Sequence, residues 1–258
     1  MWRPKSVCFF HHARQCRLRR THTQVGKLPR IFCIHAMQSS VTATKAAFEA
    51  DFPKAKIFNL LDDSLAVDVE VTGLDAAMHS RFLALSQYAA FSKADAILFT
   101  CSAFGSAIEA AQRQLHASIP VLKPNEGLQQ EVVERGGRIG VLSMFAPTLP
   151  SICREIDAMA TVNARPLTLE SLYVADALSM LQHGQKRECA HAIASSAVQL
   201  CHKHPDIETL ALAMFSMAFA QDAVEAALTE TFPSRRIAVL TSPRSAVSSL
   251  KKVLMDAN

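Results

Sequence analysis

The chain has 258 residues, half of them hydrophobic and 19% charged, which is enough to bury one large α/β domain or two small ones and too apolar for a disordered chain. Its formal charge of +4 sits at one end: Arg3, Lys5, Arg14, Arg17, Arg19, Arg20, Lys27, Arg30 and Lys45 all precede the first acidic residue, Glu49, and the body beyond is slightly acidic. This pattern argues against nucleic acid as a partner of the fold, no apolar run is long enough for a membrane span, and eight glycines without a phosphate loop argue against nucleotide binding.

Residues 1–28 are Arg-rich and free of Asp and Glu, as organellar transit peptides are, and their apolar content is too interrupted for a secretory signal. A mitochondrial presequence is the preferred reading. The alternative is an extension ahead of the true start, which leaves the protein cytoplasmic. Met37 falls inside the first strand motif and is a poor internal start. These residues are excluded from the fold. The seven cysteines (Cys8, Cys16, Cys33, Cys101, Cys153, Cys189 and Cys201) are odd in number and irregularly spaced, so they read as free thiols in a reducing compartment. Cys189, His191, Cys201, His202 and His204 are metal-type ligands, but their spacing matches no zinc pattern and no metal is expected.

In chain order, Arg30 to His35 reads as the first strand and Ala36-Met37-Gln38-Ser39-Ser40 as the loop at its carboxyl end. A helix from about Thr42 to Asp51 follows, stopped by Phe52-Pro53. Lys56 to Leu61 is a second strand, with Asp62-Asp63-Ser64 as a turn, for which a paired-carboxylate role is the lesser reading. Met78, Phe82, Leu85 and Ala89 place a helix between Asp75 and Ser92. Ala96-Ile97-Leu98-Phe99 is a short buried strand that breaks at Thr100-Cys101-Ser102-Ala103-Phe104-Gly105 and resumes as a helix through Ile108, Ala111 and Leu115. A strand turning into a helix leaves unpaired N–H groups that attract anions and favour a thiolate, although Cys is also a common inert core residue. Pro120-Val121-Leu122 is a further strand, ended by Lys123-Pro124-Asn125-Glu126, and Glu126 to Glu134 is helical up to Gly136-Gly137.

A second round then begins. Arg138 to Ser143 echoes the first strand, with Met144-Phe145-Ala146-Pro147-Thr148 in place of its loop. A helix from about Leu149 to Met159, a weak strand near Val162 and a long helical region over 168–204 come next. Ile207 to Ala213 is the matching central strand. It leads through Met214-Phe215-Ser216 into a helix whose Val224-Glu225-Ala226-Ala227 copies Ile108-Glu109-Ala110-Ala111. Arg236 to Leu240 closes the series, with Thr241-Ser242-Pro243 at its end. The chain thus reads as an α/β duplication: two pseudo-symmetric, parallel-sheet, Rossmann-like halves, 29–123 plus 241–258 and 124–240, with a cleft where the two central strands end.

With Thr100-Cys101-Ser102-Ala103-Phe104-Gly105 after the first central strand, residues from about 30 to 250 resemble the aspartate/glutamate racemase superfamily, which includes hydantoin racemases, maleate isomerases and arylmalonate decarboxylases. Gln38-Ser39-Ser40, the segment from Pro120 to Glu126 and the motif around Ser216 support the resemblance. It implies cofactor-free proton transfer at the carbon α to a carboxylate of an amino acid or related small acid, with Cys101 as acid/base. Gln38, Ser39, Ser40, Thr100, Ser102, Asn125, Thr148, Ser216 and Thr241 would bind substrate. No cofactor is implied, the expected partner is a small carboxylate, and a homo-oligomer is compatible with the reading. The racemases use two thiols, one from each half. Here the second falls on Phe215, or on Met214 if the gap is placed one residue earlier, and neither side chain carries a proton. That departure keeps open a single-thiol decarboxylase-like lyase, although the decarboxylases hold their thiol in the second half, and also a non-catalytic small-acid-binding protein. Met214, Phe215, Met217 and Phe219 could line an apolar pocket or pack the halves together. His35 ends its strand near the cleft, where a hydrogen-bonded structural role is preferred over assistance to Cys101.

Overall fold

The computed structural model describes residues 28–115 and 118–256, with the side chain of Thr148 left out; the basic segment read as a presequence lies outside this range apart from Leu28. Among these residues, eight strands form two four-stranded, all-parallel sheets. The first sheet contains β1 (Arg30–His35), β2 (Lys56–Leu61), β3 (Ala96–Phe99) and β4 (Val121–Leu122) in the spatial order β2-β1-β3-β4. The second contains β5 (Gly137–Ser143), β6 (Leu167–Tyr173), β7 (Ile207–Leu212) and β8 (Ala238–Thr241) in the order β6-β5-β7-β8. Replacing each strand of the first sheet by the one four places later gives the second, so the duplication expected from the sequence is present in the strand order. The central strands β1, β3, β5 and β7 are mostly apolar and buried over most of their length, as strands covered on both faces are, with Arg30, Arg138 and Glu208 near their starts.

The helices repeat in the same order. After β1 comes α1 (Gln38–Asp51), and after β5 comes α6 (Thr148–Val162). The second connections carry two helices each, α2 (Ser64–Thr72) with α3 (Ala76–Phe91), and α7 (Ala177–Gln182) with α8 (Lys186–Lys203). The third hold α4 (Gly105–Leu115) and α9 (Gln221–Thr231), each preceded by a short 3-10 turn. The last helices are α5 (Glu126–Arg135) after β4 and α10 (Ser242–Asp256) after β8. They are exchanged between the sheets. Leu128, Val132 and Val133 of α5 join Ile139, Val141 and Ala211 of the second sheet, while Ala246, Val247 and Leu250 of α10 join Ile31, Cys33, Ala96 and Leu98 of the first. The two helices also pack on each other.

Several expectations are corrected. The weak strand near Val162 is the end of α6, and the strand lies at 167–173, inside the stretch read as continuous helix. β6 is an edge strand whose faces alternate in exposure, so it lacks the apolar run of its neighbours. Residues 174–204 hold α7 and α8, which are separate helices. The turn at Asp62-Asp63 leads directly into α2, whose alternating Val-Asp-Val-Glu-Val carries no helical stripe. Gln38, Ser39 and Ser40 form the first turn of α1 and are not a loop, and Thr241 is the last residue of β8. No helix among the described residues is long and apolar enough to cross a membrane.

Candidate active site

Cys101 lies two residues past the end of β3, in extended conformation, and caps the 3-10 turn Ser102–Phe104 that runs into α4. Aromatic packing fixes this turn. Phe104 is buried against Phe82, with ring centroids 4.8 Å apart, and Phe82 stacks on Phe99 at the strand end at 5.2 Å. Cys101 is half-buried, packed on this cluster on one side and lining a cleft on the other. Burial raises its pKa above that of a free thiol, and the Ala103 backbone N–H directed at the sulfur opposes part of that rise. The net direction reverses the expectation that the helix start would leave Cys101 more acidic than an ordinary thiol. Burial also raises Cys33, Cys153, Cys189 and Cys201, the last to about 11.

Thr100 is buried and faces away from the cleft. His35 is fully buried, with Nδ1 2.9 Å from Thr100 Oγ1 and Nε2 2.9 Å from Asn59 Oδ1. With the Asn59 carbonyl as acceptor, Nε2 carries the proton and Nδ1 accepts from the Thr100 hydroxyl, which also lies 3.3 Å from the Ile34 carbonyl. Burial lowers the His35 pKa, against an opposing hydrogen bond to Asn59, so the ring is neutral and serves the strand end, not the thiol. Asp62 is likewise structural. Burial alone would raise it, but the Ser64 hydroxyl and the Arg81 guanidinium, 2.7 Å away, hold its carboxyl below the usual value.

The second half resolves the ambiguity over the missing thiol. Thr100 N–H donates to Ile34 of β1 at 3.2 Å, and Ala213 N–H donates to Leu142 of β5 at 2.9 Å. The next residues are Cys101 and Met214, both extended and both capping a 3-10 turn. Met214 therefore occupies the position of Cys101. Phe215 corresponds to Ser102, and its ring is buried with Ile31, Phe48, Val247 and Leu250 in the core beneath the first sheet, away from the cleft. Ser216 is half-buried within the turn Phe215–Ala220 and does not line the cleft.

The cleft itself has a volume of about 360 Å³ and draws its walls from both halves. Cys101, Ser102 and Lys123 come from the first and Asn125, Met214, Phe145 and Ile152 from the second. Asn125 is 8% exposed and its carboxamide has no hydrogen-bond partner among the described residues, so it is left open to the cleft. Gln38, Ser39, Ser40, Thr100 and Thr241 do not line it, and Thr148 opens α6 beside it. The sequence reading missed a polar group. Lys123, Glu109 and Glu126 enter from the end of β4 and from α4 and α5, and Gln129 and Glu155 from α5 and α6. Lys123 Nζ lies 3.2 Å from Glu109, and Gln129 Nε2 donates to Glu155. Lys123 and Glu126 follow a strand end, whereas Glu109, Gln129 and Glu155 lie within helices and give no sequence signal. A larger surface concavity of about 720 Å³, between β8 and α9, contains no thiol. Cys189 and Cys201 of α8 are buried in the second core, and among the described residues no three His, Cys, Asp or Glu side chains converge to hold a metal.

No protein-family model matches the chain, and no curated protein matches it. Solved structures do. An aspartate racemase homologue from Pyrococcus horikoshii is 10% identical with a TM-score of 0.65, covering 88% of this chain and 100% of its own. Allantoin racemase from Klebsiella pneumoniae is 14% identical with a TM-score of 0.62, covering 88% of each chain. Unliganded arylmalonate decarboxylase is 11% identical with a TM-score of 0.53, covering 88% of this chain and 92% of its own. At such identities the likeness is one of fold, and the chain has the two-sheet α/β fold of the aspartate, glutamate and allantoin racemases and of arylmalonate decarboxylase.

Proposed function

We propose that this protein is a cofactor-independent isomerase acting at the carbon α to a carboxylate, with Cys101 as its acid/base. The observation that carries the reading is the position of Cys101, at the end of a central strand and the start of a helix, on a cleft built from both halves. The substrate carboxylate would sit against the N–H groups of the turn Ser102–Phe104 and the start of α4. Removal of the α-proton by the Cys101 thiolate moves the electron pair onto the carboxylate as an enediolate, and the same N–H groups stabilise that charge. Reprotonation by the Cys101 thiol restores the original configuration. Inversion needs a donor on the opposite face, where Met214 stands, so the step that inverts draws its proton from water.

The second reading, a lyase that removes carbon dioxide from a malonate-type acid, is favoured by the burial of Cys101 against the Phe82 cluster, which raises its pKa and disfavours the thiolate. Such a reaction needs no base. The C–C bond breaks on the apolar side of Met214 and Phe145, the electron pair passes to the remaining carboxylate, and the Cys101 thiol protonates the α-carbon. Incubation with amino acids in deuterium oxide separates the two. The isomerase reading requires Cys101-dependent incorporation of deuterium at the α-carbon of a substrate that keeps all its carbons. Decarboxylation of substituted malonates without such exchange selects the lyase, and binding with neither reaction selects a small-acid-binding protein.

A further inference from the structure

The polar residues of the cleft are arranged in a way that a dicarboxylic acid does not explain. Three side-chain carboxylates line it, Glu109, Glu126 and Glu155, against one side-chain cation, Lys123. That cation is already engaged, with Nζ 3.2 Å from Glu109. Glu126 accepts from the Lys123 backbone N–H at 3.2 Å and from Gln112 Nε2 at 3.3 Å. Glu155 accepts from Gln129 and, at 3.2 Å, from the Ser151 hydroxyl. One carboxylate of a ligand has a place at the N–H groups of the turn beside Cys101. A second would meet no free cation and would face two uncompensated negative charges.

An independent observation adds a neutral polar group to the same wall. Asn125 is more than nine-tenths buried, lines the cleft, and leaves its carboxamide without a partner among the described residues. A carboxamide without a protein partner at the cleft wall is free to exchange hydrogen bonds with a bound polar group. Its neighbours in the lining are Lys123, Glu126 and Gln129, so a group that reaches Asn125 enters the acidic side of the cleft.

We infer that the cleft selects a monocarboxylate whose far end is cationic, an amino acid with an ammonium or guanidinium side chain, and rejects dicarboxylates such as aspartate and glutamate. The inference rests on the reading of the cleft as the substrate site and adds the charge of the substrate. Glu109 and Glu155 set the preference, Glu109 by holding Lys123 and Glu155 by its uncompensated charge. Asn125 accepts a hydrogen bond from the cationic head through its carbonyl oxygen.

The test measures binding and turnover separately. Calorimetric titration of Cys101→Ser protein with L-lysine and with L-glutamate should show lysine binding tighter by roughly tenfold or more, the effect of about two carboxylates acting through partly solvated protein. In the Glu109→Gln variant Lys123 is released, and L-glutamate should gain affinity while L-lysine loses it. Equal binding of the two acids, tighter binding of glutamate, failure of L-lysine to bind, or an unchanged preference in Glu109→Gln each overturns the inference. Deuterium incorporation at the α-carbon by the wild-type protein tests the parent reading. Selective lysine binding without exchange leaves the charge preference standing and removes the isomerase. Exchange of glutamate as fast as lysine supports the isomerase and overturns the charge preference.

Discussion

Gly127 of α5 lies directly against the backbone carbonyl of Ser245 in α10, so close that a Cβ at residue 127 would stand 2.4 Å from that oxygen. These two helices occupy equivalent places in the two halves, and they cross at this contact. Replacing Gly127 by Ala should raise intrinsic helix propensity by about 1 kcal/mol. The clash should outweigh that gain, because the atoms met are backbone (Ser245 O and C and Ala246 N) and cannot rotate away. A net loss of about 2 kcal/mol in urea denaturation is expected. Adding Ser245→Ala should not rescue it, since the side chain is not what obstructs. Full stability in Gly127→Ala would mean that the helices can separate at no cost.

Cys101→Ser should lower any α-proton exchange or decarboxylation by about 10²–10⁴-fold, the usual contribution of a positioned acid/base. Because burial disfavours the thiolate, alkylation of Cys101 by iodoacetamide should still be accelerating above about pH 8.5, where an ordinary thiol begins to level off. It should nevertheless label before the fully buried Cys33 and Cys201, which need unfolding. Peptide mass spectrometry over a pH series reads both quantities, and a plateau for Cys101 below neutral pH would contradict the burial argument.

Met214→Cys should introduce a second thiol across the cleft from Cys101 and create or raise racemisation. Phe215→Cys should not, since its side chain enters the core with Phe48 and Leu250, and it should lose about 3 kcal/mol of stability through the cavity it leaves. Racemisation is measured by chiral chromatography, each variant being compared with its Cys101→Ser counterpart. Activity gained by the Phe215 variant alone would reverse the equivalence drawn between Cys101 and Met214.

The neutral His35 gives the stability a pH dependence of definite sign. Its folded pKa lies below the unfolded value of about 6.5, so its contribution is complete above that value and is lost as pH falls through the folded one. His35→Phe should therefore flatten the decline in stability on acidification seen by chemical denaturation. It should also lower stability at neutral pH by about 1–3 kcal/mol, because Asn59 and Thr100 lose a partner. An equally steep decline in the variant would assign the acid sensitivity to other groups.

The sequence made the central strands legible because each is mostly apolar and followed by a helix, and the duplication followed from their spacing. It concealed β6 and α2, whose exposed faces break the periodicities that reveal strands and helices. The same limit applied at the cleft. Cys101 announced itself at a strand end, whereas Glu109, Gln129 and Glu155 reach the cleft from helices, and their convergence depends on how α4, α5 and α6 pack. The choice between Met214 and Phe215 was undecidable by alignment because the 3-10 turn of the second half spans six residues and that of the first spans three. Hydrogen bonding from Thr100 and Ala213 to their neighbouring strands fixes the register that spacing could not.

The exchange of α5 and α10 has a consequence for how the chain emerges from the ribosome. The first sheet is complete once Leu122 has been made, yet one of its faces, carrying Ile31, Cys33, Ala96 and Leu98, is covered in part by α10. That helix is synthesised after every strand of both sheets. The nascent first half therefore carries an uncovered greasy face throughout translation of the second, and the usual order in which an amino-terminal unit folds first is denied to it. Its α5 is meanwhile committed to a sheet that does not yet exist. The first sheet gains its full cover only when α10 seats, and a stall before residue 242 should leave a species prone to aggregate and suited to capture by chaperones.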